Sequence, residues 1–202
     1  MSPADSQAAI SSQTVRDALQ SLVFLTVPAR PSPLLHLCLV ETYLQQNRFP
    51  ITLESRRFAL QKILLDLIVD RFTTLCAVFR LDPPTPNAPY DEAIRAIRRY
   101  AQPANPELTG WCWLYYRFVR VELAIPPEQF SELCCVDARS LRRYLGHVIQ
   151  RLTGLLMEAE WAVNQDWHGE RLDAWRKTLG PAVEHVPFIV IVDTWERAGL
   201  GS

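Results

Sequence analysis

The sequence predicts an all-α fold: a helical bundle containing a tri-helical helix-turn-helix unit, followed by a short C-terminal appendage. Three observations predict it. Apolar residues recur at helical spacing in one segment after another. Proline-marked stretches punctuate those segments. A single run of strand-forming residues stands out, Pro187-Phe188-Ile189-Val190-Ile191-Val192-Asp193, in the appendage. One strand cannot satisfy its own backbone edges. The run either pairs with an unrecognised strand, pairs across a dimer, or is a packed apolar tail, and the sequence leaves these open.

Taken in order, Met1 to Gln13 is polar and frays. Thr14 to Leu25 is a helix with Val15, Leu19, Leu22 and Val23 on one face. Pro28, Pro31 and Pro33 stiffen a connector, and Leu34 to Gln46 is a strongly apolar helix. Thr52 to Val78 is a long central helix whose wide apolar face carries Phe58, Leu60, Ile63, Leu64, Leu67 and Ile68. Its Asp66 and Asp70 are expected to be solvated or to pair with arginines such as Arg71. Leu81 to Pro89 is the clearest linker. It separates an N-terminal helical region, 14–82, from a helix-turn-helix domain, 90–163, and the appendage is 164–202. Asp91 to Tyr100 is a short basic helix. Trp111 to Leu123 is an aromatic helix, expected to be core. A helix begins at Pro126-Pro127, because proline is tolerated in a first turn. Another runs from Asp137 to about Ala162, and His168 to Leu179 forms a further one before Gly180-Pro181.

Composition narrows the function. The chain is 49% hydrophobic and 21% charged, which supplies a real core. A net charge of -1 excludes bulk positive charge as a source of nucleic-acid affinity, but leaves room for a local basic face. Five cysteines, an odd number without a CxxC pair, favour reduced thiols in a cytoplasmic protein. No apolar run nears the roughly 20 residues that span a bilayer, and the N-terminus lacks a basic leader, so no membrane partner is expected. The scattered histidines have no companion motif, and Cys134-Cys135 lack a histidine at ligand spacing. Neither an enzyme, a cofactor nor a metal is expected.

The segment that points to function is Gln129-Phe130-Ser131-Glu132-Leu133-Cys134-Cys135-Val136-Asp137-Ala138-Arg139-Ser140-Leu141-Arg142-Arg143-Tyr144. A short amphipathic helix meets a tight turn at Cys135-Val136. Asp137 then serves as N-cap, since its short side chain can accept the free backbone N–H groups of a helix start. Phe130, Leu133, Val136, Leu141, Tyr144 and Leu145 sit where a tri-helical unit needs apolar groups. Arg139, Arg142 and Arg143 share the opposite face.

Residues 111–160 resemble the helix-turn-helix of sigma-factor region 4 and its LuxR-like relatives. Those units carry "EEFAELLGVS" and "RTLRRRL", where this chain has Glu128 to Asp137 and Arg139 to Tyr144. More loosely, Thr14 to Leu19 and Ser32 to Leu35 look like the N-terminal regions of bacterial STAND-type regulators, which extends the likeness over residues 14–163. No GxxxxGK[ST] nucleotide-binding loop is present. The chain departs from the pattern at Ser131, usually alanine, and at Cys135, usually a glycine free to take positive φ. Cys135 must adopt another turn geometry or accept strain.

The resemblance implies a DNA-binding regulator of transcription that reads duplex DNA with the helix from Asp137. Arg139, Ser140, Arg142, Arg143 and His147 would face the groove. Arginine offers a guanine edge two parallel hydrogen bonds, and Ser140 with the free N–H groups of the helix start would hold a phosphate. Gly146 would admit a backbone, and Arg95, Arg98 and Arg99 would add phosphate contacts. One such unit binds weakly, so a protein partner or a homodimer is expected. Two bland readings compete. The arginines form a solvated face paired with Glu132, Glu158 or Asp137. Or the protein is an interaction module, docking a partner on Phe58 to Val78 and Phe188 to Val192 around a degenerate helix-turn-helix scaffold.

Overall fold

The computed structural model describes residues 10–24, 31–101 and 105–179, with side chains described outside 22–24 and 166–179. The described residues form seven α-helices and no strand. None of those helices is long and apolar enough to cross a membrane. The strand candidate at 187–193 lies outside the described residues. The chain divides into two compact units, Met1–Val163 and Asn164–Ser202. The hydrophobic core formed by the described residues lies in the first unit.

Helix α1 (Ser12–Phe24) opens on a reciprocal pair. The Thr14 N–H donates to Ser11 Oγ at 3.1 Å, and the Ser11 N–H donates to Thr14 Oγ1 at 2.9 Å. Two otherwise unpaired donors of the first turn are thereby satisfied. Val15 and Leu19 are sealed in the core.

The predicted single helix at Leu34 to Gln46 is broken. A 3-10 turn spans Pro33–His36, and α2 is Cys38–Gln46. Between them Leu37 is extended, with φ -64° and ψ 144°. Leu34, Leu35 and Leu37 are all buried, and the break at Leu37 leaves the Cys38 and Leu39 N–H groups at the start of α2 to be capped from elsewhere.

Helix α3 (Leu53–Val78) starts on Thr52, whose Oγ1 accepts the Ser55 N–H at 3.1 Å. It is the central helix and touches α1, α2 and α5. Leu60, Ile63, Leu64 and Ile68 fill the core, and Leu67 is half-buried. Phe58 departs from expectation. It stands 51% exposed, with its ring edge-on to Phe49 at 5.7 Å between centroids. The middle of the apolar face offered for docking a partner thus lies in the protein's own core, while Phe58 and Val78 at its ends are exposed. Asp66 pairs with Lys62 at 2.6 Å, while Arg71 reaches Glu107 at 2.8 Å instead.

Helix α4 (Tyr90–Tyr100) follows a proline loop pinned at its two ends. The Tyr100 hydroxyl donates to the Asp82 carbonyl at 2.8 Å, and the buried Arg120 guanidinium donates to the carbonyls of Thr85 and Ala88. The aromatic segment begins earlier than predicted. Helix α5 is Pro106–Leu114, started by Asn105, whose Oδ1 accepts the Leu108 N–H. A π-turn, Tyr115–Val119, and a 3-10 turn, Val121–Leu123, come next. The π-turn closes on the Arg120 N–H, which bonds the Tyr115 carbonyl five residues back at 3.0 Å. Every residue from Leu108 to Tyr116 is buried, so α5 from Leu108 onward is surrounded on all sides and the burial carries on into the π-turn. Trp111, Trp113, Tyr115 and Tyr116 are thus core, as the sequence predicts.

Helix α6 is Pro127–Cys134, and α7 runs without a break over Ala138–Leu179. The separate helix predicted at His168 to Leu179 is the far end of α7. Residues 163–167 hold no proline or glycine to stop it.

Candidate nucleic-acid interface

Helices α5, α6 and α7 meet around Gly110, Trp113 and Phe130. The Trp113 and Phe130 rings lie 4.6 Å apart between centroids, joining α5 to α6. A Cβ on Gly110 would come within 2.7 Å of Val148 Cγ1 and 3.2 Å of the Tyr144 carbonyl oxygen. The absence of a side chain at Gly110 therefore sets how closely α5 and α7 approach. Gln129 of α6 is tied to α4, its Nε2 donating to the Tyr90 hydroxyl at 2.6 Å.

The turn between α6 and α7 is Cys135, Val136 and Asp137. Cys135 adopts the left-handed conformation, φ 53° and ψ 37°. The Val136 N–H bonds the Ser131 carbonyl at 3.1 Å, and the Cys135 N–H bonds the Glu132 carbonyl at 3.2 Å. These two bonds make a Schellman cap, in which the left-handed position is usually glycine. Ser131 adds a third link, its hydroxyl donating to the Val136 carbonyl at 2.8 Å. The serine that departs from the small-alanine pattern thus holds the turn closed. Cys134 is core, and burial pushes its thiol up to about 12. Cys135 is exposed.

Asp137 caps α7, its Oδ1 accepting the Ser140 N–H at 2.9 Å. Hydrogen bonds from Ser140 hold its carboxyl below the usual range. This corrects one expectation. The N–H of Ser140 is already taken by a carboxylate, so it is not offered to a phosphate.

The five predicted groove residues fall on the first three turns of α7. Arg139, Arg142, Arg143 and His147 are exposed, and Ser140 is half-buried. None of them forms an ion pair with a described residue, Glu132, Glu158 and Asp137 included. Arg143 lies with its guanidinium carbon 5.6 Å from the Tyr144 ring centroid. At Gly146 a Cβ would meet nothing within 4 Å, so that point is open to solvent. Glu128 and Arg142 both line a cleft of about 310 Å3 with Trp113, Ala138 and Leu141.

One basic residue escaped the sequence reading. Arg151 is exposed, four residues beyond His147, and continues the same row. With Tyr144, His147, Asn105 and Glu107 it lines a cleft of about 430 Å3. Its signal was the spacing of four along 139, 143, 147 and 151. Arg95, Arg98 and Arg99 lie elsewhere. Arg95 and Arg99 open onto a cleft with Asp82, Glu92 and Tyr116 to which α7 contributes nothing, and Arg99 reaches Asp82 at 3.8 Å.

No known family model, curated protein or solved structure matches the chain.

Proposed function

We propose that the chain is a non-enzymatic, DNA-binding regulator of transcription in the bacterial cytoplasm, with α5, α6 and the start of α7 as a helix-turn-helix of the sigma region 4 and LuxR type. In this reading the opening turns of α7 enter the major groove. Arg139, Arg142 and Arg143 contact guanine edges or phosphates. His147 and Arg151 track the backbone, and Ser140 lies behind them. The observation that carries the reading is the state of the arginines. A chain of net charge -1 keeps three of them exposed, without ion pairs to described residues, on the helix that succeeds a tight turn.

A second reading, an interaction module built on a degenerate helix-turn-helix, is favoured by one observation. Phe49, Ile51, Leu53 and Phe58 are exposed at the corner between α2 and α3. Selection of bound sequences from random duplex DNA separates the two. Enrichment of a motif supports groove reading, and no enrichment favours the interaction module.

A further inference from the structure

Beyond His147 the solvent face of α7 changes character. Val148, Leu152, Leu156 and Glu160 turn into the core, which leaves Gly154 at the centre of the opposite side. A Cβ at Gly154 would meet nothing within 4 Å. Glycine in a helix interior is destabilising relative to alanine, and no described residue fills the space that a side chain at Gly154 would take. Around Gly154 the face carries Trp161, 55% exposed, and Met157, 36% exposed. Arg151 and Glu158 flank it three and four residues away, exposed and without an ion pair to a described residue.

We infer that this face pairs with a second copy of the chain, the two α7 helices crossing antiparallel about a two-fold axis at Gly154. The charge pattern selects this occupant. A two-fold axis there places Arg151 of one copy beside Glu158 of the other, and the same pair forms again on the symmetric side. Trp161 of each copy then covers His147 of the other. Met157, an adaptable apolar side chain, fills the remaining edge beside Gln150. The bare Gly154 backbone lets two helices approach closely where a side chain would hold them apart. The pairing does not depend on DNA, but it assigns both His147 and Arg151 to the copy-to-copy contact instead of to a DNA backbone.

Sedimentation velocity over a concentration series tests this, in reducing buffer so that the exposed Cys135 cannot cross-link copies. A concentration-dependent dimer is expected, with Kd on the order of micromolar. Arg151→Glu and Glu158→Arg each place like charges together and weaken it about tenfold, whereas the double swap restores it to within about threefold. Gly154→Leu offers a check in which folding and pairing move oppositely. It raises the melting temperature of the monomer through helix propensity and abolishes the dimer. A monomer up to about 100 μM, a dimer unmoved by the single swaps, or a double swap that fails to restore it would each overturn the proposal.

Discussion

The carboxylate of Glu160 on α7 caps α2 from far along the chain. Its Oε1 accepts the Cys38 N–H at 3.0 Å, and its Oε2 accepts the Leu39 N–H at 2.9 Å. Glu160 is 1% exposed, so this carboxylate is a buried substitute for an N-cap that the sequence does not provide at Leu37.

Removing that cap strands two N–H groups. Glu160→Ala is expected to destabilise the protein by about 3 kcal/mol, since each unsatisfied buried donor costs roughly 1–3 kcal/mol. Glu160→Gln retains one acceptor oxygen and should cost about 1–2 kcal/mol. Urea unfolding monitored by circular dichroism measures both. Equal losses for the two variants would show that the carboxylate pair is not what anchors α2.

Three helices end on a left-handed residue that is not glycine: Arg48 after α2, Arg80 after α3 and Cys135 after α6. Each end has the same pair of Schellman bonds. Phe49 bonds Leu44 and Arg48 bonds Gln45, and likewise Leu81 bonds Cys76 and Arg80 bonds Ala77. A residue with a Cβ pays roughly 1–2 kcal/mol in this region, partly offset by the greater unfolded entropy of glycine. Cys135→Gly and Arg80→Gly should each stabilise by about 0.5–1 kcal/mol. Thermal melts that fall instead would place these residues outside the left-handed region.

The Gly110–Val148 contact predicts a coupled pair. Gly110→Ala pushes a methyl against Val148 Cγ1, and overpacking of this kind costs roughly 1–3 kcal/mol. Val148→Ala opens space for that methyl, so Gly110→Ala should cost less in the Val148→Ala background. A double-mutant cycle by chemical denaturation reads the coupling. Strict additivity would mean that α5 and α7 do not pack at this point.

The Asp137 cap predicts a dependence on pH. The Ser140 hydrogen bonds lower its folded pKa from the ordinary 3.8. A lowered carboxyl pKa gives stability that is complete above the unfolded value and is lost as pH falls through the folded value. Asp137→Ala should therefore lower the melting temperature by a constant amount at neutral pH. That gap should close below pH 3.8. A gap that persists unchanged into strong acid would argue against a charged cap.

Much of the fold was legible because long helices announce themselves by period. The spans of α1, α3 and α4 can be read from apolar spacing and nearby proline, and Thr52 and Asp137 are caps of the expected type. What escaped is tertiary in origin. Leu37 leaves the helix because the core and Glu160 both claim its surroundings, and neither is visible in the local sequence. The π-turn after Leu114 has no signal in the local spacing, which continues the helical pattern of α5. Phe58 has the right period for the core and lies outside it, since helical spacing gives a face but not how wide a stripe the neighbours cover. At the candidate site, the exposure of Arg139, Arg142, Arg143 and His147 along α7 was readable from spacing. The use of the Ser140 N–H by Asp137 and the clasp between Ser131 and Val136 were not.

The most direct test of groove binding is fluorescence anisotropy of a labelled random duplex at low salt, comparing the wild type with Arg142→Ala/Arg143→Ala. Binding is expected for the wild type, with affinity falling as salt rises by about 0.9 log units per log of salt for each phosphate neutralised. The double variant should bind at least about tenfold more weakly. Its salt slope should be shallower by up to about 2, in proportion to how many of the two lost arginines neutralise phosphates. Indistinguishable curves for the two proteins, or no binding by either, would contradict a DNA-reading role for α7.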